Sequence, residues 1–453
     1  MKKELTSGKI VVLLLGIMLV LFAWCNLLVP VAGMGGADYY QIASGGFWLN
    51  SGTGCQTWFS SIPAENSYTG TMNVILRPLS VVFHGFDVRI LSTLYFAAAL
   101  VAFFFFLAKM QTEKLWHKAL VGGVATFIFC DFSYLLHLNS LNVEGALYCF
   151  ILVMVCLLFS QLFTKPGICR TLLYSVLAFL VAGMKTGYFW IGILLVVCQL
   201  PVLMIKKELW YRIVTVFLTV AVSIGCVTCF SDGVYYGKEQ QNKFHSVYYG
   251  VLKDNEDSSA LEKLGLPREA DAYVGKSVYE VDSSVVENAS LNVGYSKVIS
   301  YYLTHPGTFL KKLECSADNG YEIRQQYNSN YPEYHKIKHG FDGYSALKRR
   351  VMQPDLWFVL VFLGAVIAFS AVQMKKQNDE KKKAYYLTMI LICTTTLAVF
   401  LAPVIISGEA ALGAELFLYN LFFDIVLCYV IVGGTIMICK RRETIQKKYG
   451  VEQ

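Results

Sequence analysis

The chain carries ten long apolar runs, and the lysines and arginines between them fall almost wholly in alternate gaps. The runs occupy roughly residues 9–31, 90–108, 116–137, 142–163, 170–186, 187–205, 210–230, 355–374, 384–406 and 415–439. Each approaches the ~20 apolar residues that carry a helix through the hydrocarbon core of a bilayer. With no water there to bond, a backbone must satisfy its own polar groups, so runs of this length fold as helices. Both termini and the even gaps, with the span ends beside them, hold Lys2, Lys3, Lys9, Lys109, Lys114, Lys118, Lys165, Arg170, Lys206, Lys207, Arg212, Lys375, Lys376, Lys381, Lys382, Lys383, Lys440, Arg441, Arg442, Lys447 and Lys448. The short odd gaps hold only Arg77, Arg89 and Lys185. This 21-to-3 split predicts a multi-pass protein of the cell membrane with both termini cytoplasmic.

That orientation divides the chain into three parts. Residues 1–230 form an N-terminal core of seven spans with a first extracytoplasmic loop at 32–89. Residues 231–354 form an extracytoplasmic domain, and 355–453 supply three spans and a cytoplasmic tail. The expected fold class is an all-α polytopic membrane protein of about ten transmembrane helices with a small mixed extracytoplasmic domain. A composition of 55% hydrophobic residues with a mean hydropathy of +0.49 excludes a soluble globule. The net charge of +7 sits at inner span ends, beside anionic headgroups. The block 231–354 balances 15 basic against 16 acidic residues, so no basic stripe invites nucleic acid.

Lys2, Lys3 and the run Ile10–Phe22 resemble a secretory signal, but the run continues to Val31, which favours an uncleaved first span. Ten of the thirteen cysteines lie inside spans; Cys55 and Cys315 face outward, either as a disulfide or as two thiols. In the first loop, Gly33, Gly35, Gly36, Gly45 and Gly46 let backbone fold closely around Asp38 and Tyr39. Met72, Ile75, Leu76, Leu79, Val82 and Phe83 follow helical spacing despite Pro78, as an interfacial helix or a short buried one. In the outer domain, Ser259 and Glu262 make a capping-box pattern before a short helix that Gly265 ends. Phe244, Val247, Tyr249 and Val251 read as a strand. Phe309, Leu310, Leu313, Ala317 and Tyr321 form the apolar stripe of a helix after Pro306.

Ionisable groups in membrane spans are costly and usually face a cavity or a partner. Asp131, His137, Glu144 and Lys185 gather near the outer boundary, with Asn139 and Asn142 in the turn between two spans; Asp424 sits deeper in the last span. Asp38 follows the first span by about seven residues. A lone loop Asp is most often a turn residue or a solvated charge, but a carboxylate above the bilayer near Arg and Lys suits one reaction well. That reaction is glycosyl transfer from a polyprenyl-phosphate sugar. The leaving phosphate needs cations, for which Arg77, Lys185, Arg349 and Arg350 are available. The acceptor hydroxyl needs a base, for which Asp38 is available.

The chain also resembles the GT-C superfamily of membrane glycosyltransferases, which carry an acidic residue in the first outer loop, and more closely the WsfD-like hexose transferases of bacterial surface-glycan biosynthesis. The likeness rests on GMGGADYYQI around Asp38, YLLHLNSLNVEGAL at 134–147, HSVYYGVLKD and LEKLGL within 245–266, YYLTHPGTFLKKLECSADNGYEIR at 301–324 and PVIISGEAALGAELFLYNLFFD at 403–424. The resemblance implies Asp38 as the catalytic base. By their positions, Glu144 is read as a second, supporting catalytic carboxylate, and Tyr39, Arg77, Asp131, His137, Asn139, Lys185 and Glu409 as substrate-binding residues. The implied partners are a polyprenyl-phosphate sugar donor, a glycan acceptor and the lipid bilayer. This chain departs from the family pattern in carrying Tyr39 after Asp38, Ser407 near the position of a C-terminal Asp, and Glu415 near that of a basic residue or His.

No spacing marks a metal cage, so the cofactor is unknown and a divalent metal is left open; His245, His305, His335 and His339 lack zinc-site spacing. Asp318, Glu322 and Arg324 read as a solvated helix face. The alternatives are a flippase or transporter, whose matching halves are not evident, and a membrane-anchored assembly protein.

Overall fold

The computed structural model describes residues 2–28, 48–49, 57–58, 88–110, 114–140, 142–185, 187–230, 236–255, 257, 259–321, 323, 340–352, 355–410 and 412–449. Asp38, Tyr39, Cys55, the run 72–83 with Arg77, Glu322, Arg324, His335 and His339 lie outside the described residues. The described chain is helical apart from one two-residue antiparallel pair, Trp48–Leu49 with Thr57–Trp58. Among the described residues, seven helices are long and apolar enough to cross a bilayer: α1 (Lys2–Leu28), α2 (Val88–Lys109), α5 (Val143–Phe163), α8 (Leu209–Phe230), α15 (Leu356–Lys376), α16 (Glu380–Ser407) and α17 (Phe417–Tyr449). An eighth crossing results if α3 (Leu115–Phe129) and α4 (Phe132–Leu138), bent by 67°, count together. On α8 the residues Trp210, Ile213, Val216, Phe217 and Val220 are exposed, an apolar face that lipid tails solvate and water does not. The protein is a multi-pass membrane protein in contact with the bilayer.

Two of the ten expected spans, 170–186 and 187–205, form shorter apolar helices among the described residues. Helix α6 (Ile168–Ala182) and the segment Phe189–Ile205, whose first part is α7 (Phe189–Val197), are too short to pass that length test. They pack as a hairpin against α8. At 1.5 Å per residue, α6 rises about 22 Å, less than a ~30 Å hydrocarbon core. Polar bonds at the lysine-rich end tie the hairpin down: Thr171 Oγ1 lies 2.7 Å from the Tyr211 hydroxyl, and Gln199 donates to Ser175 Oγ at 3.0 Å.

The expected continuous span 116–137 is broken at Cys130–Asp131, because Asp131 ends one helix and starts another. Its carboxylate accepts the Ser133 N–H, capping α4, and on its other oxygen the N–H groups of Tyr344 and Ser345. Those belong to α14 (Gly343–Val351).

The block 236–351 holds α9 (Tyr236–His245), α10 (Ala260–Leu264), α11 (Ser283–Asn292), α12 (Tyr295–Thr304), α13 (Pro306–Gly320) and α14. The mixed domain is thus helical among its described residues. The strand expected over 244–251 is the end of α9 continued as a π-helix, Ser246–Val251. The buried residues there are Phe244, Val247, Tyr248 and Val251, a helical and not an alternating set. Helix α10 ends at Gly265, with φ 75°, as read from sequence. However, Ser259 does not cap it; its hydroxyl donates to Asp257, and the capping box forms at Ser277 and Glu280 instead. Helix α13 buries Leu313, Ala317 and, unexpectedly, Lys312.

Candidate functional site

The span ends opposite the lysine-rich end form a second, polar end of the bundle. There the N-terminus of α5 presents Glu144, fully buried, to Lys185 in the turn between α6 and α7. The Nζ–Oε1 distance is 3.1 Å, and Glu415 closes on the same ammonium at 3.8 Å. Gly145 lets α5 close on the end of α4, since a Cβ there would stand 2.7 Å from the His137 carbonyl oxygen. His137 lies beside the Phe417 ring, with Nε2 3.0 Å from the Ile323 carbonyl. A carbonyl only accepts, so Nε2 carries the proton and Nδ1 is left as an acceptor. Asn139 Oδ1 accepts from Ser92 Oγ at 2.8 Å. Three buried atoms of this group find no partner among the described residues: His137 Nδ1, Asn139 Nδ2 and Glu144 Oε2. Buried polar atoms in native proteins are nearly always bonded, so a donor and two acceptors left over between residues 137 and 144 mark a place for a ligand or water.

Asp131 and Asp424 stand apart from that group. Asp131 spends its carboxylate on three backbone N–H groups, the place of a structural joint. Asp424 accepts from the Tyr134 and Tyr344 hydroxyls at 2.5 Å each and from Lys348 Nζ at 2.7 Å, and Lys348 also donates to Asn420 at 2.8 Å. Both partners of the Lys348–Asp424 pair are fully buried. Asp424 thus anchors α14 through Tyr344 and Lys348.

Glu409 lies just past α16, between two lysines. Lys253 Nζ reaches Oε2 at 2.6 Å and Lys312 Nζ reaches Oε1 at 2.5 Å; Lys312 also donates to the Lys253 carbonyl. Burial raises the Glu409 carboxyl, but the two lysine bonds outweigh it and hold the group below its usual range. The same bond to Glu409 raises Lys253. Asp254 also acts on Lys253, so two carboxylates stand against the two ammoniums. The segment 408–416 therefore binds the 236–351 block through Glu409 and the core through Glu415.

Gly408 makes this possible. It has φ 60°, and a Cβ would stand 2.5 Å from the Gly250 nitrogen of the π-helix. Gly408→Ala is expected to cost about 2–4 kcal/mol, from the left-handed backbone and the clash together. Thermal unfolding of the purified protein measures it. Gly364→Ala on α15, where a Cβ meets nothing within 4 Å and Ala is the better helix former, should not lower the midpoint.

Beneath the Glu144 group runs an apolar cavity of about 540 Å³. Phe96, Phe129, Tyr148 and Phe159 line its body, and His117, Lys382 and Lys440 its far end. Tyr148 is one helical turn, roughly 6 Å, along α5 from Glu144.

The structure thus joins Glu144, Lys185 and His137, while Asn139 bonds Ser92, Glu409 occupies a separate cluster and Asp131 a joint. Sequence reasoning missed Lys312, Lys348 and Lys253, and noted Glu415 only as a departure from the family pattern. An Asp inside a span signals a buried cation, but nothing in the spacing says which lysine answers it. No curated protein and no solved structure matches the chain. Residues 56–451 match the family described as the YfdI N-terminal transmembrane domain. With most of its length inside that match, the chain belongs to the YfdI N-terminal transmembrane domain family.

Proposed function

We propose that the protein is a GT-C-type glycosyltransferase that moves a hexose from a polyprenyl-phosphate donor to a cell-surface glycan or its lipid-linked precursor. In this reading both termini are cytoplasmic, and residues 32–89 and 231–354 face outward, as the alternation of basic residues favours. Asp38 takes the acceptor proton. Glu144, with its free Oε2, orients the acceptor or donor sugar together with His137 Nδ1 and Asn139 Nδ2. The observation that carries the reading is the apolar cavity whose wall at Tyr148 lies one turn below Glu144. A sugar carried on an isoprenoid needs that combination, a polar site with a greasy trough beneath it. Lys185 already faces two carboxylates, so carrier phosphate is better served by Arg77.

The test is incubation of membranes containing the protein with radiolabelled polyprenyl-phosphate hexose. Transfer of label to a glycan fraction with matching release of polyprenyl phosphate is expected. Uptake of the intact lipid sugar across sealed vesicles without bond cleavage would instead favour a flippase.

A further inference from the structure

A second large cavity lies away from the Glu144 group, in the crevice between α2 and α5 at the lysine-rich end. It measures about 700 Å³. Phe105, Cys156 and Leu157 give it apolar walls, and Lys109, Lys165 and Arg170 gather at its mouth. Phe105 is 56% exposed, so the crevice opens where lipid would lie. Arg170 is held in place: Nη1 donates to Thr164 Oγ1 at 2.8 Å and to Ser160 Oγ at 3.3 Å, and Nη2 bonds the Lys165 carbonyl. No acidic residue is among the described residues lining the cavity.

We infer that this crevice is a binding site for an anionic two-chain phospholipid of the adjoining leaflet, with its phosphate on Lys109, Lys165 and Arg170 and an acyl chain along Phe105 and Leu157. Three cations with no carboxylate among them attract an anion, and a basic pocket between membrane helices is a recurrent headgroup site. A soluble anion would have no use for the apolar walls. A zwitterionic lipid would bring its own cation against the three already there. The wall of α5 is shared with the cavity below Glu144, so a lipid seated here would brace the helix that carries that residue.

The inference is tested by native mass spectrometry on the full chain in detergent, titrated with phosphatidylglycerol and separately with phosphatidylcholine. Retention of phosphatidylglycerol over phosphatidylcholine is expected. Lys109→Gln, Lys165→Gln and Arg170→Gln combined should weaken it by about tenfold to a hundredfold. The charge-matched control Lys375→Gln, Lys376→Gln and Lys381→Gln should leave it within about twofold. The exposed single changes Lys109→Gln and Lys165→Gln leave packing untouched and should each give a partial loss if the triple variant misfolds. Equal loss in the control, equal retention of the two lipids, or unchanged retention in the crevice variants would each overturn the inference.

Discussion

A Lys348→Met protein is expected to lose about 3–5 kcal/mol of stability, the cost typical of stripping one partner from a buried ion pair. Asp424 would keep its two tyrosine hydroxyls but face an apolar interior with its charge uncompensated. Asn420 Oδ1 would lose the donor that Lys348 gives it. The loss spreads, because α14 carries both Lys348 and the Tyr344 and Ser345 amides that hold Asp131 at the α3–α4 break. A second change, Asp424→Asn, should restore a large part of the stability, since the amide still bonds the tyrosines and carries no charge. Asp424→Asn alone should be destabilising, for it leaves Lys348 charged and alone. Thermal and denaturant unfolding of the four proteins in detergent gives the coupling directly. A Lys348→Met protein within about 1 kcal/mol of the parent, against that expectation, would mean that this pair does not hold α14.

The membrane class could be read from the sequence because it depends on bulk composition, and hydrocarbon leaves the backbone few choices. The span count was less legible, for reasons visible in two places. At 168–205 the apolar run is continuous enough for two crossings, yet it forms helices shortened by turns at Gly183–Lys185 and Cys198–Pro201. At 116–137 the hydropathy hides Asp131, which caps a helix locally through Ser133 but whose other partners, Tyr344 and Ser345, lie more than two hundred residues away, beyond any local pattern. The misread strand at 244–251 has a local cause: choosing Tyr249 over Tyr248 turns a helical spacing into an alternating one. In the candidate site, Glu144 and Lys185 were legible because charges in apolar surroundings are conspicuous. Their company was not. Lys312 sits on α13 among Leu313 and Ala317 and was absorbed into an apolar stripe, while Glu409 alone gave no hint that two lysines enclose it.

Asp38→Asn is expected to leave a protein that inserts and folds but transfers almost no sugar, with turnover lower by about two to four orders of magnitude, the range for a lost general base. The amide keeps the shape of the carboxylate and cannot accept the proton of the attacking hydroxyl. Glu144→Gln should behave differently. It removes the charge 3.1 Å from Lys185 and leaves that lysine to Glu415, so it should weaken substrate handling and moderately lower stability without removing the base. The two variants separate in the pH profile. If Asp38 is the base, kcat/KM for the parent falls as the medium is acidified through the pKa of that carboxyl, because the protonated form cannot take a proton. The residual activity of Asp38→Asn should lack that acid limb, whereas Glu144→Gln should retain it at a lower plateau. Transfer of sugar by Asp38→Asn at the parent rate would remove Asp38 from the role. An intact acid limb in that variant would move the base to another group, with Glu144 the first to be tested.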